Sequence, residues 1–116
     1  MNKSNILRKS YEIEKLLMNK KSVGSRYYVI YYMEASDNEV HIAISASKKL
    51  GDAVVRNYEK RVIRELLRKH IEEFKGLDVL FVIKRNSLEL DFNEKERQIK
   101  YLLKKMYTRG ENKDEK

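Results

Sequence analysis

The segment SKKLGDAVVRNYEKRVIRELLR, Ser47 to Arg68, concentrates the side chains of this chain that can do chemistry. It holds Lys48, Lys49, Arg56, Lys60, Arg61, Arg64 and Arg68 against three acids, Asp52, Glu59 and Glu65. The spacing predicts a helix that starts near Ala53, on which Asn57, Arg61, Arg64 and Arg68 fall at i, i+4, i+7 and i+11 as one stripe. Val55, Val62, Ile63, Leu66 and Leu67 fall on another side. One helix thus offers an apolar face to a core and a row of guanidiniums to something outside. Forks repeated at helical spacing fit a phosphate backbone better than a single small ligand. A merely solvated charge face would be neutralised by pairs such as Arg61 with Glu65 and Arg68 with Glu72. Arg64 argues for a polyanion instead, since its helical neighbours Lys60, Arg61 and Arg68 are all basic.

Other chemistry is sparse. The two histidines, His41 and His70, sit in an expected strand and near the end of the basic helix, and are read as structural. No cluster of His, Asp or Glu has the ligand spacing of a transition-metal site. Lys49-Leu50-Gly51 contains one glycine and is no phosphate-cradling loop. Any phosphodiester cleavage in which this chain takes part must draw its catalytic groups from elsewhere.

The elements that position the basic row can be read in order. Ser10 is an N-cap candidate for a helix to about Met18, with Ile13, Leu16 and Leu17 on one side. RYYVIYYM, Arg26 to Met33, is a strand by composition. Its alternation puts Tyr27, Val29, Tyr31 and Met33 on one face and Tyr28, Ile30 and Tyr32 on the other. Ser36-Asp37-Asn38 predicts a turn, and Val40 to Ala46 is expected to return beside the first strand as a hairpin. Asp52 caps the basic helix, which is expected to run to about Phe74, with Gly76 ending it. LDVLFVI, Leu77 to Ile83, reads as an interior strand. Lys84 and Arg85 at its end are either more basic surface or a solvated strand end. Asn93 to Glu96 resembles a capping box, and Ile99, Leu102, Leu103 and Met106 mark the core side of a last helix. From Arg109 the tail is charged and expected to be disordered. The division is therefore one RNA-binding domain, residues 1–108, and a tail, 109–116, in the order αββαβα.

Composition agrees with a polyanion partner. The chain has 116 residues, 26 Lys and Arg against 18 Asp and Glu, and a net charge of +8. Such a field draws in polyanions and speeds their association. The absence of Cys excludes disulfides and thiolate metal sites. No apolar run spans a bilayer and the N-terminus lacks a signal-peptide core, so no membrane partner and a cytoplasmic location are expected.

The run Lys48-Lys49-x-Gly51-x-Ala53-Val54-x-Arg56-Asn57-x-x-Lys60-Arg61-x-x-Arg64-Glu65 resembles the signature of the protein subunit of bacterial ribonuclease P. The likeness covers roughly Leu7 to Tyr107. It departs at Tyr58, where the family usually has Arg, and at Ile13 and Leu17, where it usually has Phe. The resemblance implies an α+β two-layer sandwich, related to a ribosomal-protein fold. Its mixed sheet has about four strands, one of them short and unread above, and a left-handed βαβ crossover. It implies a ribonucleoprotein endonuclease for tRNA processing, in which the RNA subunit carries the active site and binds most of the magnesium. Lys48, Lys49, Arg56, Asn57, Lys60, Arg61, Arg64 and Arg68 would then face the RNA subunit. Ile13, Leu17, Val29 and Tyr31 would line a cleft for the 5′ leader of precursor tRNA. The same fold in a ribosomal or RNA-chaperone protein without processing activity is the alternative.

Overall fold

The computed structural model describes residues 21–34 and 40–115, with side chains as far as residue 107. Four strands form one sheet: β1 (Ser22–Gly24), β2 (Tyr28–Glu34), β3 (His41–Ala46) and β4 (Leu77–Ile83). Among the described residues there are two long helices, α1 (Ala53–Lys69) and α2 (Phe92–Glu115). The expected helix near Ser10 and the expected turn at Ser36–Asn38 lie outside the described residues.

The most apolar strand takes the interior. The sheet order is β1-β2-β4-β3. β4 pairs antiparallel with β2, Tyr28 opposite Ile83 through Glu34 opposite Leu77, and parallel with β3, His41 opposite Asp78 through Ala46 opposite Ile83. This corrects the expected hairpin, because β2 and β3 are separated by β4 and do not pair. With a neighbour on each side, β4 has both rows of its backbone groups hydrogen-bonded, as a strand buried on both faces requires. The β3–α1–β4 segment is the expected βαβ unit. β1, the short strand that sequence patterning misses, pairs antiparallel with β2 through Ser22–Tyr31, Val23–Ile30 and Gly24–Val29.

Period-two alternation sorts the sheet into two faces. Val23, Tyr28, Ile30, Ile42, Val79, Phe81 and Ile83 pack with Ile63, Leu66 and Leu67 of α1 and Ile99, Leu102, Leu103 and Met106 of α2. Both helices therefore cover one face, which makes a two-layer α+β sandwich. The other face carries a smaller cluster, Ala43 and Leu80 buried with Tyr31, Met33 and Val82 against them. Tyr27 precedes β2 and packs against the main core, not with Tyr31 and Met33 as strict alternation predicts.

Helix ends follow local chemistry. The Asp52 carboxylate accepts from Val55 N at 3.1 Å, the expected cap of α1. α1 stops at Lys69, earlier than the expected Phe74, and a 3₁₀ turn over Ile71–Phe74 carries Phe74 into the core. The capping box of α2 is Asp91 to Glu94, two residues before the expected one. Glu94 N donates to Asp91 at 2.8 Å and Asp91 N to Glu94 at 3.1 Å. Both quartets fit the pattern, and the earlier start puts Lys95 as well as Ile99 on the buried side. The stretch that charge marks as a tail from Arg109 continues α2 to Glu115.

Candidate nucleic-acid interface

The basic loop is built at the end of β3. Ser47 N reaches Ile83 O at 3.4 Å, and its hydroxyl accepts from Lys49 N at 3.1 Å. These bonds wind Lys48–Leu50 into a 3₁₀ turn. Leu50 is buried and anchors the turn, while Lys48 and Lys49 remain exposed. Gly51 then takes φ +141°, a region open to glycine, and a Cβ there would lie 3.4 Å from the Val55 side chain. The loop thus turns sharply into α1 with both lysines outside.

On α1 the predicted division of faces holds. Ile63, Leu66 and Leu67 are buried, and Val55 and Val62 are half-buried against the core. Asn57, Arg61, Arg64 and Arg68 are exposed, and Arg56 and Lys60 are half-buried at the edge of the row. The pairs that would make this a self-neutralised face do not form. Glu65 meets Arg68 across 3.5 Å, an exposed i,i+3 pair, in place of the pairs Arg61–Glu65 and Arg68–Glu72. Among the described residues Arg56, Lys60, Arg61 and Arg64 have no ion-pair partner. The Nε–H of Arg56 also finds no acceptor among the described residues. Four cations standing within three turns without counter-charge repel each other, and a polyanion relieves that repulsion.

Glu59 is not part of this face. It is 3% exposed and accepts two hydrogen bonds from Lys95 of α2. Sequence reading counts Glu59 as an acid among the cations, yet its helical position falls between Ile63 and Leu66 on the buried side. Tyr58, where the family usually has Arg, is 57% exposed. Lys84, a candidate for the basic surface, donates to Ser25 O at 2.9 Å and ties down the β1–β2 turn. Each histidine has an acidic partner. His41 Nδ1 is 2.8 Å from Asp78, its neighbour in the parallel register, and His70 Nδ1 is 3.1 Å from Glu73.

Of the expected leader cleft, Ile13 and Leu17 lie outside the described residues. Val29 and Tyr31 are half-buried, two residues apart on β2, and Tyr31 belongs to the second apolar cluster. They stand on the sheet face opposite the two helices, so these two residues and the arginine row occupy different sides of the molecule.

The sheet, the anchored lysine turn and the exposed arginine row define a basic α+β protein with one helix face suited to a polyanion. The ribonuclease P family model matches residues 1–107, and the chain belongs to that family. The ribonuclease P protein component of Streptococcus gordonii is 35% identical over 112 residues, covering 95% of this chain and 94% of the relative. That of Macrococcus caseolyticus is 36% identical over 105 residues, covering 90% and 91%. The structure of the Staphylococcus aureus RNase P protein superposes with a TM-score of 0.81 at 26% identity, over 88% of this chain and 94% of that one. The Thermotoga maritima RNase P protein gives 0.77 at 25% identity, over 85% and 94%. These likenesses select the ribonuclease P family over a ribosomal or chaperone protein of similar shape.

Proposed function

We propose that this chain binds the catalytic RNA subunit of ribonuclease P through Lys48, Lys49 and the α1 row. On its other side it would hold the 5′ leader of precursor tRNA and so assist endonucleolytic removal of the leader. The observation that carries the first half is the row Arg56, Lys60, Arg61 and Arg64, which stands without described counter-charges. Lysines and arginines that neutralise phosphates release counterions, and this term dominates non-specific affinity for nucleic acid. It also lowers repulsion between RNA strands brought together at a cleavage site, which reduces the demand for magnesium. The described residues bring no three carboxylate, imidazole or thiol groups together to hold a metal ion. In this reading magnesium and bond cleavage belong to the RNA. Val29 and Tyr31, on the face away from α1, support the second half as the strand wall of a leader cleft. No described helix is long and apolar enough to cross a membrane, and the site of action proposed is the cytoplasm.

Reconstitution tests this. A bacterial ribonuclease P RNA with this chain is expected to process precursor tRNA at low magnesium far faster than the RNA alone, and the chain alone is expected to cleave nothing. Cleavage by the chain alone, or no gain over the RNA, overturns the reading.

A further inference from the structure

Two exposed rings at the junction of the helices are not used by phosphate binding. Tyr58 is 57% exposed and Phe92 46% exposed. Tyr58 precedes Arg61 by three residues, so the two side chains are neighbours on the surface of α1. Lys95 Nζ lies 6.0 Å from the centre of the Tyr58 ring, and Phe92 is one turn before Lys95 on α2. Lys69 Nζ, at the far end of α1, lies 5.4 Å from the centre of the Phe92 ring. Lys95 cannot swing away, because Glu59 holds it at 2.9 and 3.1 Å. The junction of the two helices therefore presents the exposed Tyr58 ring at the edge of the guanidinium row, with the Phe92 ring exposed farther along α1 against Lys69.

Charge selects the occupant. A protein partner docking by apolar contact would have to bring its own acids to the four cations beside the Tyr58 ring. A nucleotide carries both halves already, a flat apolar base and a phosphate. Aromatic side chains beside a basic groove are the usual platform for unpaired bases. We propose that Tyr58 stacks an unpaired base of the RNA whose phosphates the arginine row binds. This rests on the RNA-binding reading above and adds a base contact to it. The contact is tolerant of sequence, since every base offers a π face.

The test is a binding titration against a transcribed bacterial ribonuclease P RNA at several salt concentrations. Tyr58→Leu keeps an apolar side chain at an exposed position and removes the ring. It is expected to weaken binding about fivefold or more with the salt slope unchanged, because no phosphate contact is lost. Tyr58→Phe is expected to rescue binding. Thermal melting verifies that each variant folds. Wild-type affinity in Tyr58→Leu overturns the inference, as does a reduced slope, or a Tyr58→Phe as weak as Tyr58→Leu. The paired variant Arg61→Ala/Arg64→Ala separates this from the underlying reading. If that pair leaves affinity and slope unchanged, RNA docking along α1 fails. If it lowers both while Tyr58→Leu does not, only the base contact fails.

Discussion

Lys95 of α2 donates to both carboxylate oxygens of Glu59 of α1, at 2.9 and 3.1 Å, with the two side chains 7% and 5% exposed. The bond clamps the start of α2 to the middle of α1, beneath the helix that carries the arginine row. It also removes Glu59 from the electrostatics of that row, since its charge is spent inside the protein.

Breaking the clamp from one side is expected to cost far more than removing it whole. Lys95→Met leaves a buried carboxylate without a partner, a loss of about 3–5 kcal/mol. Lys95→Met combined with Glu59→Leu removes both charges from a largely apolar site and is expected to recover most of that loss. Urea unfolding of the single and double variants measures this. A double variant as unstable as the single one would mean that packing of the lysine stem, and not the pair, holds the helices.

Arg64→Ala tests the row at its most crowded point. Affinity for the RNA subunit is expected to fall, and the slope of log affinity against log salt to shrink by about one counterion. Folding stability is expected to change by no more than about 0.5 kcal/mol, because the side chain is exposed and has no described ion-pair partner. An unchanged slope removes Arg64 from the interface.

Much of this molecule was legible wherever a pattern is local. The apolar and basic sides of α1, its Asp52 cap and the apolar run of β4 depend on residues within a few turns of one another. Pairing was not legible, because it is a contest between distant segments. β3 was expected beside β2, its neighbour in sequence, but β4 is the more apolar strand and takes the place between them. β1 has three residues and only Val23 fully buried, too short for a period to be read. Glu59 and Lys95 are 36 positions apart, and each alone looks like a surface charge. The same applies to Tyr58, whose exposure is decided by where α2 crosses and not by its own helix. At the site, the cations of α1 were found by spacing, whereas the ring at its edge needed the packed structure.

Tyr28 links the core to pH. Its side chain is fully buried, and burial pushes the phenol far above the ordinary tyrosine value, with the Glu59 carboxylate raising it further. The Ser87 hydroxyl offsets this only in part, because the two hydroxyls do not meet in hydrogen-bond geometry. Below about pH 10 the phenol is neutral in both folded and unfolded chains, so its contribution is fully present. Above that the unfolded chain loses the proton first, and stability falls as pH rises, by about 1.4 kcal/mol per unit. Tyr28→Phe is expected to remove this slope while leaving stability at neutral pH within about 1 kcal/mol, since the hydroxyl it deletes has no hydrogen-bond partner among the described residues. Denaturant unfolding of both proteins from neutral pH to about pH 11 makes the comparison. Parallel curves would show that Tyr28 ionises in the fold as easily as in the open chain.

Tyr31 tests the leader side. It lies across the sheet from α1, half-buried with Met33 and Val82 around Ala43 and Leu80. An aromatic ring there has an apolar base to rest on and enough exposure to meet a nucleotide. Tyr31→Leu keeps apolar packing and removes the stacking surface. In the reconstituted holoenzyme it is expected to weaken binding of precursor tRNA by roughly 1–3 kcal/mol while binding of mature tRNA, which has no leader, stays the same. Tyr31→Phe is expected to rescue the difference. Comparing the two RNAs separates a leader contact from general damage, because a distorted sheet would disturb the docking of both. Equal losses for precursor and mature tRNA would make Tyr31 a packing residue and move the leader to another part of the surface. A loss confined to the precursor, with an unchanged salt slope, would identify the contact as base stacking, since a phosphate contact carries a counterion with it.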